Sequence, residues 1–215
     1  YVSLAFSPDS KYLIALTGKP DYTLLYYTWE KSKVLASTKT TNPQTNNPVY
    51  QASFNPQDNT QLCVVGNGIF RNFRYSEGNL KAFNFQKMEP QNFLCHAWVS
   101  EERVVVGTDT GKLLLFENGE IKNEFNVGAA LQDKKQSDED SGIVTIPQVT
   151  AIVAYSKGFA CACGPGTVHL YEKTDDKDLF KKSKQIKIPQ DNFSSYATKA
   201  QQQIITSLAI SPSEE

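Results

Sequence analysis

The sequence predicts an all-β protein that is built from repeated four-stranded units. Short apolar runs recur along the chain, and clusters of Gly, Pro, Asn and Asp separate them. The same order of runs and turns restarts every 45 to 55 residues or so, roughly the spacing of four-stranded propeller blades. The hairpin VVVGTDTGKLLLFE (104–117) shows the unit best, because Gly111 can adopt a positive φ and Asp109 can bond its own backbone.

The first two units each contain four predicted strands. In the first unit the apolar runs are 2–6, 12–16, 22–28 and 34–38, and the turn Ser-Pro-Asp-Ser follows the first run. In the second unit the runs are 49–54, 61–65, 69–75 and 80–85, and Asn-Pro-Gln-Asp takes the place of the first turn. The parallel order of runs and turns indicates that the two units are repeats of one structure.

Two further units and a single last strand follow. Their runs are 93–99, 104–107, 112–116 and 121–125, then 149–155, 158–163, 167–171 and 185–188, and finally 204–210. The units span about 1–42, 46–89, 90–127 and 147–189, and the next begins at 203–215. A lone strand exposes a sheet edge, so 204–210 is expected to pair with residues beyond this chain.

The sequence thus predicts four blades and the first strand of a fifth, as part of a larger ring. A chain that begins at Tyr1 rather than Met agrees with this expectation. The alternative is a closed four-bladed ring in which the last strand completes the first blade. The four strands that the first unit already has argue against that closure.

Composition excludes several classes of function. The 215 residues carry a net charge of −1, which gives no electrostatic reason to bind nucleic acid or an anionic membrane. No apolar run approaches the roughly 20 residues that span a bilayer, and no signal peptide opens the chain. All four cysteines lie in apolar, strand-like surroundings, which predicts buried, reduced thiols.

Three polar stretches interrupt the regular spacing. Residues 128–142 have mixed charge and no periodicity, which predicts a flexible insert; a partner-binding arm phosphorylated at Ser137 or Ser141 is the alternative. The stretch 173–184 joins the last two strands of the fourth unit. Its basic cluster either faces an acidic surface such as a tubulin tail or lies at a solvated hairpin tip. The cluster consists of Lys181, Lys182 and Lys184. Residues 190–203 are expected to form another surface loop.

The chain offers little catalytic chemistry. The two histidines, His96 and His169, lie inside predicted strands, and the side chains of Cys95 and His96 point to opposite faces. Cys161 and Cys163 form no pair of zinc-binding knuckles, because a second pair is missing. The sequence therefore predicts no enzyme, no metal site and no cofactor.

The turns between second and third strands are the candidate binding surface. They fall on one rim of a propeller, and function on such a scaffold resides in loops. The candidate partner contacts on this rim are Lys19, Asp21, Asn67, Asp109 and Thr110.

The ends of the third strands resemble the WD-repeat family. Trp29-Glu30, Phe116-Glu117 and Tyr171-Glu172 stand where that family has Trp-Asp, and the turn Phe-Ser-Pro-Asp at 6–9 also matches it. The family's Gly-His dipeptide is missing from every unit. These are therefore divergent repeats, and the buried polar network that the dipeptide supports is expected to be absent.

Longer runs resemble, more narrowly, a family of WD-repeat proteins from cilia and flagella. They are PQNFLCHAWVSEERVVVGTDTGKLLLFENGE (90–120), NNPVYQASFNPQDNTQLCVVGNG (46–68) and AYSKGFACACGPGTVHLYEK (154–173). The resemblance implies a non-catalytic scaffold of the ciliary axoneme, part of the first of two propellers that precede a coiled coil. Its implied role is to dock or regulate inner dynein arms on doublet microtubules.

The implied partners are inner dynein arm components, with tubulin as a further candidate, and no small molecule, nucleic acid or membrane. The location that follows is the axonemal cytoskeleton of a cilium or flagellum. A peptide-binding propeller of a soluble cytosolic adaptor complex is the alternative.

Overall fold

Sixteen β-strands form four antiparallel sheets in the residues that the structure describes. The structure is a computed structural model, and it describes residues 1–42, 44–45, 47–83, 89–128, 147–175, 180–188 and 204–214. Sheet 1 contains β1 (Ser3–Phe6), β2 (Tyr12–Leu16), β3 (Thr23–Thr28) and β4 (Lys33–Lys39), and sheet 2 contains β5 (Val49–Phe54), β6 (Gln61–Gly66), β7 (Ile69–Ser76) and β8 (Asn79–Phe83). Sheet 3 contains β9 (Phe93–Trp98), β10 (Arg103–Thr108), β11 (Lys112–Glu117) and β12 (Glu120–Asn126), and sheet 4 contains β13 (Val149–Tyr155), β14 (Gly158–Cys163), β15 (Thr167–Lys173) and β16 (Phe180–Lys187). The predicted all-β class is confirmed.

Each second strand is buried on both faces, as its continuous apolar sequence predicts. Along β6, Leu62 and Val64 enter a core shared with sheet 1, whereas Cys63 and Val65 enter a core shared with sheet 3. In β10, the side chain of Val105 points to the face opposite that of the residues before and after it, and it enters the core between sheets 3 and 4. Three apolar layers therefore separate the four sheets.

The first strands lie side by side, and the fourth strands lie furthest from them. Strands β1, β5, β9 and β13 contact one another in sequence order. Hydrogen bonds from side chains join successive first strands: Ser3 Oγ to the Ala52 carbonyl (3.3 Å), Gln51 Nε2 to the His96 carbonyl (3.2 Å) and Cys95 Sγ to the Val149 carbonyl (3.3 Å). The sheets consequently radiate from a common axis that the first strands surround.

Contacts between aromatic rings help to fill the layers between sheets. Tyr26 of sheet 1 stacks on Tyr75 of sheet 2 with ring centroids 4.4 Å apart, and its hydroxyl donates to the Asn59 carbonyl. Between sheets 3 and 4, Phe125 packs 5.3 Å from Tyr171. Such pairs each contribute about 0.5–1.5 kcal/mol beyond the area that they bury.

Trp29 departs from the predicted repeat pattern. The strand β3 ends at Thr28, so Trp29 lies in the following turn and is 43% exposed, whereas Phe116 and Tyr171 are buried. Its indole nitrogen donates to the Ser10 carbonyl at 2.6 Å, and its ring meets Phe6 edge to face. The buried aromatic rings that the first unit contributes to the layer come from Tyr22 and Tyr26 instead.

The last strand of sheet 4 is longer than predicted. The prediction began this strand at residue 185, but β16 begins at Phe180, whose buried ring packs on Phe159 at 5.2 Å. The three lysines assigned to the insert 173–184 therefore lie in the strand and not at a hairpin tip. The predicted strand missed this part because only one apolar residue in it faces the core.

Residues 204–210 form no strand ladder within the described ranges, but they lie against sheet 4. Thr150 Oγ1 donates to the Ile205 carbonyl at 2.5 Å, and the Ser156 amide donates to Glu214 at 2.8 Å. The predictions for residues 129–142, including Ser137 and Ser141, and for 190–203 fall outside the described residues. In the described part of the chain, no helix is long and apolar enough to cross a membrane.

Candidate interaction surface

The turns between second and third strands gather at one end of the sheets, and we call this end the hairpin rim. Asn67 at the tip of sheet 2 forms a β-bridge with Asn92, and the Asp109 amide at the tip of sheet 3 donates to the Asn92 carbonyl at 3.2 Å. Asn92 precedes β9 directly. The structure therefore brings Asn67 and Asp109 together on neighbouring blades.

The tip of sheet 3 is held rigidly. Gly111 has a φ of 76°, and its carbonyl accepts hydrogen bonds from the amides of Val127 and Gly128. Thr110 Oγ1 lies 3.0 Å from Thr108 Oγ1. The Thr110 side chain is exposed and that of Asp109 is half-buried, so both are available at the surface on a fixed backbone.

The tip of sheet 1 carries Lys19 and Asp21, which are both exposed. Asp21 Oδ1 lies 3.4 Å from Lys39 Nζ, and both side chains are more than half exposed. Such a pair contributes at most about 1 kcal/mol. No hydrogen bond or ion pair between described residues joins Lys19 or Asp21 to Asn67, so sheet 1 offers a separate contact point along the rim.

The lysines of β16 form a second surface. Lys181, Lys182 and Lys184 are exposed along the outermost strand of sheet 4, rather than on the hairpin rim. The register pairs Lys182 with Tyr171 and Lys184 with Leu170, so the two lysines point to opposite faces of the sheet. The eight candidate residues thus belong to two different surfaces.

A partly buried polar network joins sheets 2 and 3, and it is built on His96 without a Gly-His dipeptide, so it differs from the network that was expected to be absent. Trp98 Nε1 donates to Ser53 Oγ at 3.1 Å, and Ser53 Oγ lies 2.6 Å from His96 Nε2. Ser53 Oγ and His96 Nε2 share one hydrogen, and the buried Nδ1 of His96 has no hydrogen-bond partner among the described residues. Gln51 adds two hydrogen bonds to the backbone of His96.

Sequence reasoning missed this network because its members come from two units 45 residues apart. The sequence signal that could have indicated the network is the presence of polar residues inside first strands. Gln51 and Ser53 alternate with apolar residues in β5, and His96 interrupts an apolar run in β9. A pair of polar residues on facing first strands is where such a network can form.

The histidines and cysteines are buried and electrically neutral. Burial lowers the pKa of His96 to about 3, and burial, together with the charge of Lys182, lowers that of His169 to about 4. Burial raises the pKa of the Cys163 thiol to about 11, and the pKa values of the other three thiols are also raised by burial. The side chain of Cys95 reaches sheet 4 and that of His96 reaches sheet 2, which confirms the predicted opposite faces.

No metal-binding group exists among the residues that the structure describes. No three His, Cys, Asp or Glu side chains there are placed to hold an ion. A cavity of about 410 Å³ lies between sheet 4 and residues 208–214, and its lining is mostly apolar, including Val153, Leu170 and Leu208. Specific small-molecule sites combine an apolar lining with several converging polar groups. Among the described residues, the hairpin rim and the β16 lysines are the two surfaces that carry the predicted contact residues.

Comparison with curated proteins identifies the family. The mouse protein named cilia- and flagella-associated protein 57 is 44% identical over an alignment that covers the whole chain. The chain belongs to the cilia- and flagella-associated protein 57 family. Cilia- and flagella-associated protein 57 C of Tetrahymena thermophila is 26% identical over 83% of the chain. The chain spans only 19% of the mouse protein and 17% of the Tetrahymena protein, and no protein-family model matches it.

Solved structures confirm the propeller fold of this family member. The β-propeller domain of Cps50 (Swd1) from Myceliophteria thermophila superposes with a TM-score of 0.61 at 12% identity, and the match covers 87% of this chain and 58% of that one. Raptor from Chaetomium thermophilum superposes with a TM-score of 0.64 at 14% identity, and the match covers 96% of this chain and 17% of the Raptor chain. At these identities the likeness concerns the fold alone.

Proposed function

We propose that the chain is part of a non-catalytic scaffold in the axoneme of cilia and flagella, which helps to dock or regulate inner dynein arms on doublet microtubules. The observation that carries the proposal is the 44% identity, over the whole chain, to a mouse cilia- and flagella-associated protein. Further relatives with ciliary names include cilia- and flagella-associated protein 44 of mouse.

The hairpin rim is the proposed contact surface for axonemal proteins. Its exposed side chains stand on turns whose backbones are fixed by hydrogen bonds, so a partner would lose little entropy in ordering them. The proposed partners are components of the inner dynein arms, and tubulin is a further candidate. The rim residues proposed to contact them are Lys19, Asp21, Asn67, Asp109 and Thr110.

The test of the ciliary role is fractionation of a ciliated cell that expresses the tagged full-length protein. The protein is expected to remain with salt-washed axonemes, and its loss is expected to remove a subset of inner arms. Recovery of the full-length protein only in the soluble cytoplasm, bound to a soluble partner, would favour the adaptor alternative and reject the axonemal role.

The test of the rim is a matched pair of double variants in the full-length protein. Asp109→Ala with Thr110→Ala alters the hairpin rim, and Glu101→Ala with Glu102→Ala alters exposed residues at the other end of the same sheet. The first variant is expected to weaken retention on axonemes, whereas the second is expected to behave as wild type. Equal retention of both variants on axonemes would refute the hairpin rim as the contact surface.

We further propose that residues 203–215 begin another blade. The hydrogen bond from Thr150 to the Ile205 carbonyl repeats the bonds that Ser3 and Gln51 make to the next first strand. This shared bonding pattern supports the proposal that the segment takes the position of a fifth first strand beside sheet 4. In the longer protein, the amides of 204–210 are expected to be protected from hydrogen exchange, and their rapid exchange there would refute the assignment.

A further inference from the structure

The outermost strand of sheet 4 has an unusual charge distribution. Seven of the eight residues of β16 are exposed, and four of them are lysines. The lysines are Lys181, Lys182, Lys184 and Lys187. The strand contains no acidic residue, and within the described ranges none of its lysines forms an ion pair. Lys182 Nζ instead binds the side-chain amide of Gln185 at 2.9 Å.

The other outermost strands carry fewer lysines or have their charges matched. In sheet 1, Lys39 of β4 pairs with Asp21. In sheet 3, Lys122 of β12 pairs with Glu120 of the same strand at 3.1 Å. The strand β8 contains a single lysine, Lys81. Among the described residues, β16 therefore carries more lysines without an ion pair than any other outermost strand does.

The second observation is the free edge of the strand. The strand β16 pairs only with β15, at the end of the order β13-β14-β15-β16, so its outer edge has no ladder partner among described residues. An unpaired edge is a template for an added strand. Lysines on an edge repel a basic strand and would lose water without gaining a partner beside a neutral one, but they attract an acidic strand, so this edge is selective.

The register determines what kind of segment fits. Lys182 and Lys187 lie opposite Tyr171 and Thr167, on the face turned toward sheet 3. Lys181 and Lys184 lie opposite Glu172 and Leu170, on the other face. An extended partner with acidic residues at consecutive positions presents carboxylates on both faces and so reaches both pairs of lysines.

We propose that β16 binds an extended acidic segment of another protein by strand addition. The segment contains a run of consecutive acidic residues, forms backbone hydrogen bonds with the outer edge of β16 and pairs its carboxylates with lysines on both faces. Nucleic acid fits less well, because single strands bind on exposed aromatic rings, and the only aromatic residue of β16, Phe180, is buried. The proposal deepens the scaffold function above and names the chemistry of one partner.

The test measures binding of fluorescein-labelled octaglutamate to the 215-residue chain by fluorescence anisotropy. Lys181→Gln with Lys184→Gln and, separately, Lys182→Gln with Lys187→Gln are each expected to weaken binding roughly fivefold, since one exposed ion pair contributes a factor of about two to three. The matched control, Lys31→Gln with Lys33→Gln, removes the same charge from the region of β4 and is expected to change binding less than about twofold. Equal weakening by the control, or no binding by the wild type, overturns the proposal.

A second peptide tests the strand addition itself. Methylation of alternate backbone amides of octaglutamate keeps all its charges but removes hydrogen-bond donors, and it is expected to weaken binding by about tenfold or more. Unchanged binding of this peptide would refute strand addition. An octauridylate that binds as tightly as octaglutamate, with the same dependence on the lysines, would refute the acidic protein segment. These measurements need no cilium, so their failure is distinct from absence of the protein from axonemes.

Discussion

His96 is expected to make the stability of this fold depend on pH between 7.5 and 5. Its imidazole is 1% exposed and shares a hydrogen bond with Ser53, and burial lowers its pKa to about 3, against an ordinary value of 6.5. The folded state therefore keeps His96 neutral while the unfolded state takes up a proton. The contribution of neutral His96 to the free energy of unfolding is fully present above pH 6.5, and it is lost as the pH falls below that value.

The size of the effect follows from the two pKa values. At pH 5 the unfolded imidazole is almost entirely protonated, and each pH unit below 6.5 costs about 1.4 kcal/mol, so His96 alone removes ~2 kcal/mol of unfolding free energy. Because pH 5 lies well above the folded pKa of about 3, the result depends mainly on the unfolded value. His169, with a pKa of about 4, is expected to add a loss of similar size.

The assay is urea unfolding of wild type and His96→Gln at pH 7.5, 6.5, 5.5 and 5. Glutamine places an amide near the position of Nε2 and does not titrate, so the variant is expected to lose about 2 kcal/mol less than wild type over this range. His169→Gln serves as the parallel case, and the double variant is expected to lose the histidine-dependent part of the slope. An unchanged slope in His96→Gln would mean that His96 is not held neutral in the folded state.

Three further predictions concern packing. Gly111→Ala is expected to destabilise the fold by about 2 kcal/mol or more, because an added Cβ would lie 2.5 Å from the Pro147 carbonyl at a φ of 76°. Gly78→Ala, at a φ of 79° with the nearest atom to the added Cβ 3.9 Å away, is expected to cost only about 1 kcal/mol. If the two variants lost the same free energy of unfolding in urea, a steric clash at Gly111 would be contradicted. Phe159→Ala, which empties a buried position between sheets 3 and 4, is expected to cost about 3–5 kcal/mol in the same assay, and a loss below 1 kcal/mol would refute the packing described. The four buried thiols are expected to react with iodoacetamide at pH 8 only after unfolding, and fast labelling of any one in the native chain, read by mass spectrometry, would contradict its burial: Cys63, Cys95, Cys161 and Cys163.

The strands that the sequence predicted best are those with the strongest apolar pattern. The predicted bounds of β2, β5, β13 and β14 agree with the structure, because each is a clear apolar or alternating run that ends at a turn signal. The strand β16 was predicted too short, since seven of its eight residues face solvent and its hydrogen bonds to β15 determine where it begins. Local pattern identifies buried strands, whereas tertiary pairing defines the exposed ones.

The candidate surface was predictable only in part. Turn chemistry located Asp109 and Thr110 at a hairpin tip, and the repeat placed Asn67 on the same rim. Nothing in the local sequence shows that the Asn92 backbone joins two of these tips, or that Ser53 lies beside His96. Contacts between repeats depend on the angle between blades, which no single unit encodes.

The hydrogen bonds between first strands have a mechanical consequence. Side-chain hydrogen bonds from Ser3, Gln51 and Cys95 join each sheet to the next close to the common axis. Among the fourth strands, the main contact is between β4 and β8. A fourth strand lies about 14 Å from the first at roughly 4.8 Å per strand, so a tilt of about 5° at the axis displaces it by about 1.2 Å. Because Ala36 of β4, Leu80 of β8 and Phe180 of β16 also lie in the apolar layers, such a tilt would separate contacts far from the axis before it lengthens the bonds close to it.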